Sequence, residues 1–157
     1  RYMTSTFSDF VASKPDKDLM KKQVQDYCKM LCQALIENYK SYTIKSHGIS
    51  IVRALDAGDS TSVQYHEDRI QEVKNNIDIY DFYMIEGRKY WKIVMSTDGD
   101  YRCQSVHAFV DKSNGDVYKS ATFKSPAKGV RYNLLDESSR EYVLANCDWS
   151  GSYLYQR

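Results

Sequence analysis

The residues of this chain that could do chemistry are cationic and aromatic, and they gather around the segment KSPAKGVRYNLLD at 124–136. Lysine and arginine bind phosphate by charge and aromatic rings stack on nucleobases, so together they are typical of surfaces that hold single-stranded nucleic acid. The candidate binding residues are Lys124, Lys128, Arg131 and Tyr132 in this segment, and Arg88, Lys89, Trp91 and Lys92 in an earlier one. Ala127 and Gly129 lack bulk, which lets a ligand approach the backbone closely.

The same basic residues have a plainer alternative role. Lysines on a sheet surface keep a protein soluble and protect exposed strand edges. Carboxylates are scattered through the same region, at Asp78, Asp81, Glu86, Asp98, Asp100, Asp111 and Asp116. Two interpretations therefore stay open: a nucleic-acid or nucleotide site, or a solvated surface that makes protein contacts.

Catalytic patterns are missing from the sequence. It contains no G-x-x-x-x-G-K-[ST], G-x-G-x-x-G or G-x-S-x-G motif. His107 has Ser105 and Asp111 nearby, but a general base needs a reachable partner and a substrate pocket, so we expect His107 on a sheet surface. The carboxylates of TDGD at 97–100 indicate a turn rather than a calcium loop. We predict a protein that is not an enzyme.

The four cysteines are Cys28, Cys32, Cys103 and Cys147. Cys28 and Cys32 are one helical turn apart and could supply two metal ligands, but no second pair and no histidine completes a recognised zinc spacing. We expect packed, reduced thiols, with neither a metal nor a cofactor.

Length and composition predict a single domain spanning residues 1–157, with 42% hydrophobic and 27% charged residues. The net charge of +1 gives the chain no strong overall field toward DNA or an anionic membrane, so electrostatic binding must come from a local patch. No apolar run reaches the roughly 18 residues of a membrane span, and we expect no membrane association.

The elements that must position the candidate residues begin with a polar arm at residues 1–13 and a long helix at 15–45. Pro15 suits the first position of a helix. An apolar stripe at spacings of three and four follows, at Met20, Val24, Tyr27, Cys28, Leu31, Leu35 and Tyr39. The charged segment 63–76 is predicted to be a short surface helix with Val63, Ile70 and Val73 facing inward.

Residues 77–123 alternate with a period of two, which predicts strands. Glu86-Gly87 and Asn114-Gly115 predict two hairpin turns and hence a four-stranded antiparallel meander. Asp136 is placed to cap a short helix at 136–147, and residues 152–155 form either an edge strand or a segment packed over the sheet. The predicted fold class is α+β, with the long N-terminal helix packed on the four-stranded β-meander.

The C-terminal half also resembles a group of small phage proteins. The stretches that carry the resemblance are EGRKYWKIVM, SVHAFVDKSNGDVYK, KSPAKGVRYNLLD and DWSGSYLY, within residues 79–155. The resemblance implies a viral origin, in the host cytoplasm or the virion, and it implies no activity. We expect a phage protein that binds nucleic acid or another polyanion, or alternatively a structural or accessory virion protein that contacts other virion proteins or itself.

Overall fold

This computed structural model describes the backbone of residues 7–97 and 100–155 and the side chains of residues 16–97 and 104–155. The fold class is α+β, as predicted. The helices are α1 (Phe7–Asp56), α2 (Ser60–Lys74) and α3 (Glu137–Asn146), with a 3-10 turn at Ser152–Leu154. The strands are β1 (Asp81–Glu86), β2 (Tyr90–Thr97), β3 (Asp100–Asp111), β4 (Asp116–Lys119) and β5 (Tyr132–Asn133).

Helix α1 is longer than predicted at both ends, because it runs from Phe7 to Asp56 rather than from 15 to 45. Pro15 lies inside the helix, so the prediction that it occupies the first position is wrong. Proline there removes one backbone hydrogen bond, which interrupts the ladder locally without ending the helix. Residues 7–13 of the expected arm are helical, and residues 1–6 lie outside the described residues.

The end of α1 is set by Gly58, whose φ of 68° is the left-handed conformation that glycine adopts easily. The Gly58 amide donates to the Leu55 carbonyl at 3.1 Å and the Asp59 amide to the Ala54 carbonyl at 2.9 Å. These bonds satisfy carbonyls that a helix end leaves free. The chain then reverses into α2.

Helix α2 folds back on α1 and includes most of the predicted surface helix. Val73 is buried and Val63 and Ile70 are half-buried, which agrees with their predicted inward orientation. Between the two helices, the Nδ1 atoms of His47 and His66 lie 2.7 Å apart.

The sheet is an antiparallel meander whose strands follow the order of the chain. Both predicted hairpin turns are present: the Gly87 amide donates to the Tyr90 carbonyl at 2.9 Å, and Gly115 has a φ of 80°. The prediction of four strands is one strand short, because Tyr132–Asn133 pairs with β4 inside the expected loop. Of the predicted turn at 97–100, residues 98–99 lie outside the described residues.

One face of the sheet packs against the helices. Buried side chains on the helical face are Phe82, Trp91, Ile93, Ala108, Val110 and Val117, in a core with Val24, Cys28, Leu31 and Leu35 of the predicted α1 stripe. Neighbouring strand residues point to opposite faces. Since α1 and α3 lie on the core side and α2 packs on α1, no helix within the described part of the chain covers the opposite face, called here the open face.

The C-terminal segment packs over the helical face rather than adding an edge strand. The Asp136 carboxylate caps α3 as predicted, accepting from the Ser139 amide at 3.1 Å. Leu154, in the 3-10 turn, is buried in the core. No helix among the described residues is long and apolar enough to cross a membrane.

Candidate nucleic-acid interface

The predicted binding residues do not converge on one surface. Lys92 lies on the open face beside the loop that carries Lys124. Arg88, Lys89 and Trp91 line a groove between the hairpin turns and α1. Lys128, Arg131 and Tyr132 lie next to the C-terminal turn. Strand alternation explains why Trp91 and Lys92, although adjacent, reach different surfaces.

The open face carries a row of side chains aligned across four strands: Ile85, Lys92, Phe109 and Tyr118. The Lys92 ammonium lies 5.9 Å from the centre of the Phe109 ring and 4.5 Å from that of Phe123, which comes from the loop after β4. Both distances allow the attraction between a cation and an aromatic ring. Lys92 is therefore held among aromatic rings rather than extended into water.

Phe109 is only 1% exposed although no described helix covers it. Tyr90 meets it edge-to-face at 5.8 Å and also meets Tyr118 edge-to-face at 5.9 Å. Burial, and after it the Asp116 carboxylate, raise the pKa of Tyr118, so this ring stays a neutral phenol at physiological pH. The open face therefore has a buried aromatic centre with tyrosines and a lysine around it.

A hydrogen-bonded loop places Phe123 and Lys124 beside this row. The Thr122 hydroxyl accepts from the amides of Lys124 and Ser125, each at 3.1 Å. Ser120 and Pro126 close the loop as an isolated bridge. Phe123 is 48% exposed and Lys124 is exposed, so both can meet a ligand.

The groove between α1 and the two hairpin turns, on the helical side of the sheet, has a volume of about 630 Å³. Its lining residues are Asp18, Lys21, Lys22, Gln25, Glu86, Arg88, Lys89, Trp91, Asp111, Lys112 and Ser113. The Lys112 ammonium lies 5.4 Å from the Trp91 ring centre and donates to Glu86 at 2.7 Å. Lys21, Arg88 and Lys89 are exposed, and no ion pair joins them to a carboxylate among the described residues.

Arg131 and Tyr132 attach the loop to the C-terminal turn. The Arg131 Nε donates to the Leu154 carbonyl at 2.6 Å, and its Nη1 donates to the carbonyls of Lys128 and Gly129 at 2.8 and 2.6 Å. The Tyr132 hydroxyl donates to the Tyr153 carbonyl at 2.7 Å. The convergence of these two residues with Lys92, which the sequence led us to expect, does not occur.

His107 is half-buried beneath the C-terminal turn, where Tyr153 packs against it, so the expectation that it lies on an open sheet surface is wrong. Ile93 pairs with Ala108 and Val94 with Val106, which leaves His107 as the extra residue of a β-bulge. Its ring meets Phe82 edge-to-face at 5.5 Å. Burial lowers the pKa of His107 to about 4, against the opposing effect of the Asp148 carboxylate.

The described cysteines are packed thiols, as expected. Cys28, Cys32 and Cys147 are free and buried. Burial is the main cause that raises the pKa of Cys32 to about 12 and of Cys147 to about 11, so neither forms a thiolate near neutral pH. In the described part of the chain, no three metal-ligating side chains come together. The Cys103 side chain lies outside that part.

Among the residues of these surfaces that sequence reasoning missed are Phe109, Phe123 and Lys21. Alternation along β3 puts Phe109 on the face opposite Ala108 and Val110, but its position beside Lys92 depends on the register shifts between β2 and β3. Phe123 lies past the end of β4, and Lys21 reaches the groove only because α1 crosses the hairpin turns. No local sequence pattern predicts the position of Phe123 or of Lys21.

The fold and these surfaces define an α+β protein with one helix-packed sheet face and one open, aromatic and basic face. The chain belongs to DUF7717, a family of unknown function, whose sequence pattern matches residues 7–156. Comparisons with curated proteins and with solved structures gave no significant match.

Proposed function

We propose that this protein binds single-stranded nucleic acid through the open face. The observation that carries the proposal is the Lys92 ammonium, 4.5 Å from the ring of the half-exposed Phe123, on a sheet face that no described helix covers. Nonspecific single-strand binding combines backbone cations with rings on which bases stack, and each stacked base contributes about 1–3 kcal/mol. Lys89 and Lys124 supply further cations at the borders of this face.

The arrangement favours single strands over duplexes. A duplex encloses its bases, so an exposed ring such as Phe123 has no flat base surface to stack on. A single strand offers unstacked bases and a flexible backbone that can follow the row from Tyr118 to Ile85. With a net charge of only +1, binding depends on this local surface.

The test is fluorescence anisotropy with a labelled strand of about 12 nucleotides, within the site sizes of single-strand binding folds. Lys92→Ala and Phe123→Ala should each weaken binding about tenfold, the effect of a lost stacking or phosphate contact. The matched control is Lys29→Ala, which removes an exposed lysine from α1 on the other side of the sheet. Equal losses in the control, or equal binding of a duplex, would contradict the proposal.

A second candidate function, a structural or accessory role in a virion, draws support from the helical hairpin. Ile49, Val52 and Leu55 in the last turns of α1 are 48%, 59% and 63% exposed. Apolar side chains grouped in this way favour protein contacts. Self-association measured by light scattering, insensitive to salt and abolished by Val52→Glu, would favour this role. A phage origin remains a prediction from the resemblance of residues 79–155.

A further inference from the structure

We propose that the groove between α1 and the hairpin turns binds a phosphomonoester, either the terminal phosphate of a nucleic-acid strand or the phosphate of a free nucleotide. Binding of the terminal phosphate of a nucleic-acid strand rests on the proposed function, whereas binding of a free nucleotide does not. The groove lies on the helical side of the hairpin end, away from the open face.

The charge around the groove favours an anion. Five cations and three carboxylates line it. One of the carboxylates is paired with a cation, because Glu86 accepts from the Lys112 ammonium at 2.7 Å. Asp111 accepts from the Ser113 amide and hydroxyl at 2.9 and 2.6 Å and keeps its negative charge. The Lys22 ammonium forms an ion pair with the Asp26 carboxylate, with 2.6 Å between Nζ and Oδ1. That leaves three cations, Lys21, Arg88 and Lys89, against two carboxylates, Asp18 and Asp111, so the remaining charge of the groove is positive.

The shape of the groove suits a ligand larger than an inorganic ion. Its volume of about 630 Å³ lies in the range of small-molecule sites, roughly 300–1,000 Å³. The Trp91 indole, 9% exposed, gives it an apolar floor, and charges attract more strongly beside such a surface than in open water. The planar Arg88 guanidinium can bind two phosphate oxygens at once.

Lys89 borders both surfaces, which connects the groove to the open face. It lines the groove, and its ammonium lies 5.3 Å from the ring centre of Tyr90, a residue of the open face. A strand lying on the open face can therefore pass the hairpin turn and place its end in the groove. A terminal phosphate carries a charge of about −1.5 to −2, more than an internal diester, so the groove should prefer strand ends.

The experiment uses Trp91 as the reporter. In a Trp149→Phe background the indole of Trp91 is the only one left, since the chain has two tryptophans. Its fluorescence is followed on titration with adenosine 5′-monophosphate, with adenosine, and with one oligonucleotide carrying either a 5′-phosphate or a 5′-hydroxyl. The test variant is Lys21→Ala with Arg88→Ala, and the control is Lys29→Ala with Lys45→Ala.

We expect the phosphorylated ligands to bind about tenfold more tightly than their unphosphorylated partners, with the preference lost in the test variant and kept in the control. A preference seen only with the mononucleotide assigns the groove to free nucleotides. If the mononucleotide binds while the wild-type protein holds neither strand, the proposed function fails and this inference stands. No preference for phosphate in either ligand pair would overturn it.

Discussion

The Nε2 atom of His107 and the phenolic oxygen of Tyr153 lie 2.7 Å apart, so the C-terminal turn is bonded to the middle of strand β3. Both groups are half-buried. Burial lowers the pKa of His107 and raises that of Tyr153. Both side chains are therefore neutral near pH 7, and the phenol can donate to the imidazole.

Acid should destabilise the protein through His107. Its folded-state pKa of about 4 lies below the ordinary 6.5, so the unfolded state binds the proton first as the pH falls. The free energy of unfolding should decrease from about pH 6.5 down to about pH 4, by on the order of 3 kcal/mol, and then level off with respect to this group. Urea unfolding of the wild type and of His107→Gln at several pH values measures the effect.

The His107→Gln variant should show a flatter pH dependence, because it lacks the titrating ring. Tyr153→Phe is the control: it loses the hydrogen bond but keeps the histidine buried, so its pH dependence should remain. An equally steep decrease in His107→Gln would assign the acid sensitivity to other groups.

Arg131→Ala should lower stability and leave nucleic-acid binding unchanged. The guanidinium joins the 128–131 segment to the Leu154 carbonyl, and its loss removes charge-assisted hydrogen bonds worth about 1–3 kcal/mol together. Denaturant unfolding measures the first effect and anisotropy the second. Lys92→Ala should give the opposite pattern, with weaker nucleic-acid binding and unchanged stability. If Arg131→Ala weakened nucleic-acid binding without lowering stability, Arg131 would be part of the binding interface.

The salt dependence of nucleic-acid binding should report how many cations of the open face contact phosphates. For single strands, the slope of log K against log salt is about −0.7 for each phosphate neutralised. Contacts from Lys89, Lys92 and Lys124 predict a slope of about −2, and Lys92→Ala should reduce its magnitude by about 0.7. Phe123→Ala should weaken binding without changing the slope, because a stacking ring releases no counterion.

Two glycine substitutions should act in opposite directions. A Cβ at Gly115, where φ is 80°, would lie 3.2 Å from both the Leu135 amide nitrogen and its Cγ, so Gly115→Ala should cost at least about 1 kcal/mol. Gly48 lies inside α1 with no atom within 4 Å of such a Cβ, and Gly48→Ala should stabilise by about 0.5–1 kcal/mol. Thermal unfolding compares the two variants, and destabilisation by Gly48→Ala would contradict the helical environment assigned to it.

Local patterns in the sequence were enough for the hairpins and for most of the core-facing helix stripe, of which the first predicted member, Met20, is 39% exposed. Gly115 indicates its hairpin turn and the alternation along β2 and β3 indicates strands, each from only a few neighbouring residues. Val24, Leu31 and Leu35 repeat at helical spacing. The start of α1 was placed wrongly because proline is favoured in the first turn of a helix and disfavoured in its interior, and no nearby residue indicates that α1 begins before Pro15.

The candidate site was harder to predict because it depends on contacts between distant segments. Phe123, in the loop after β4, contacts Lys92 of β2 across β3, and Arg131 is held by the carbonyl of Leu154, more than twenty residues later. The sequence shows that Arg131 is basic, but not that its donors are already used by carbonyl oxygens. Which cations remain for a ligand is decided by such pairings.

The strand order, in which every strand pairs with the next one along the chain, has a kinetic consequence. Such pairings are local and close only short loops, which lowers the entropic barrier to forming the sheet. The meander from β1 to β4 can therefore assemble rapidly from its two hairpins. Because Trp91, Ile93 and Val110 are covered by the packing of α1, a sheet formed without that helix would expose them to solvent and would be prone to aggregate.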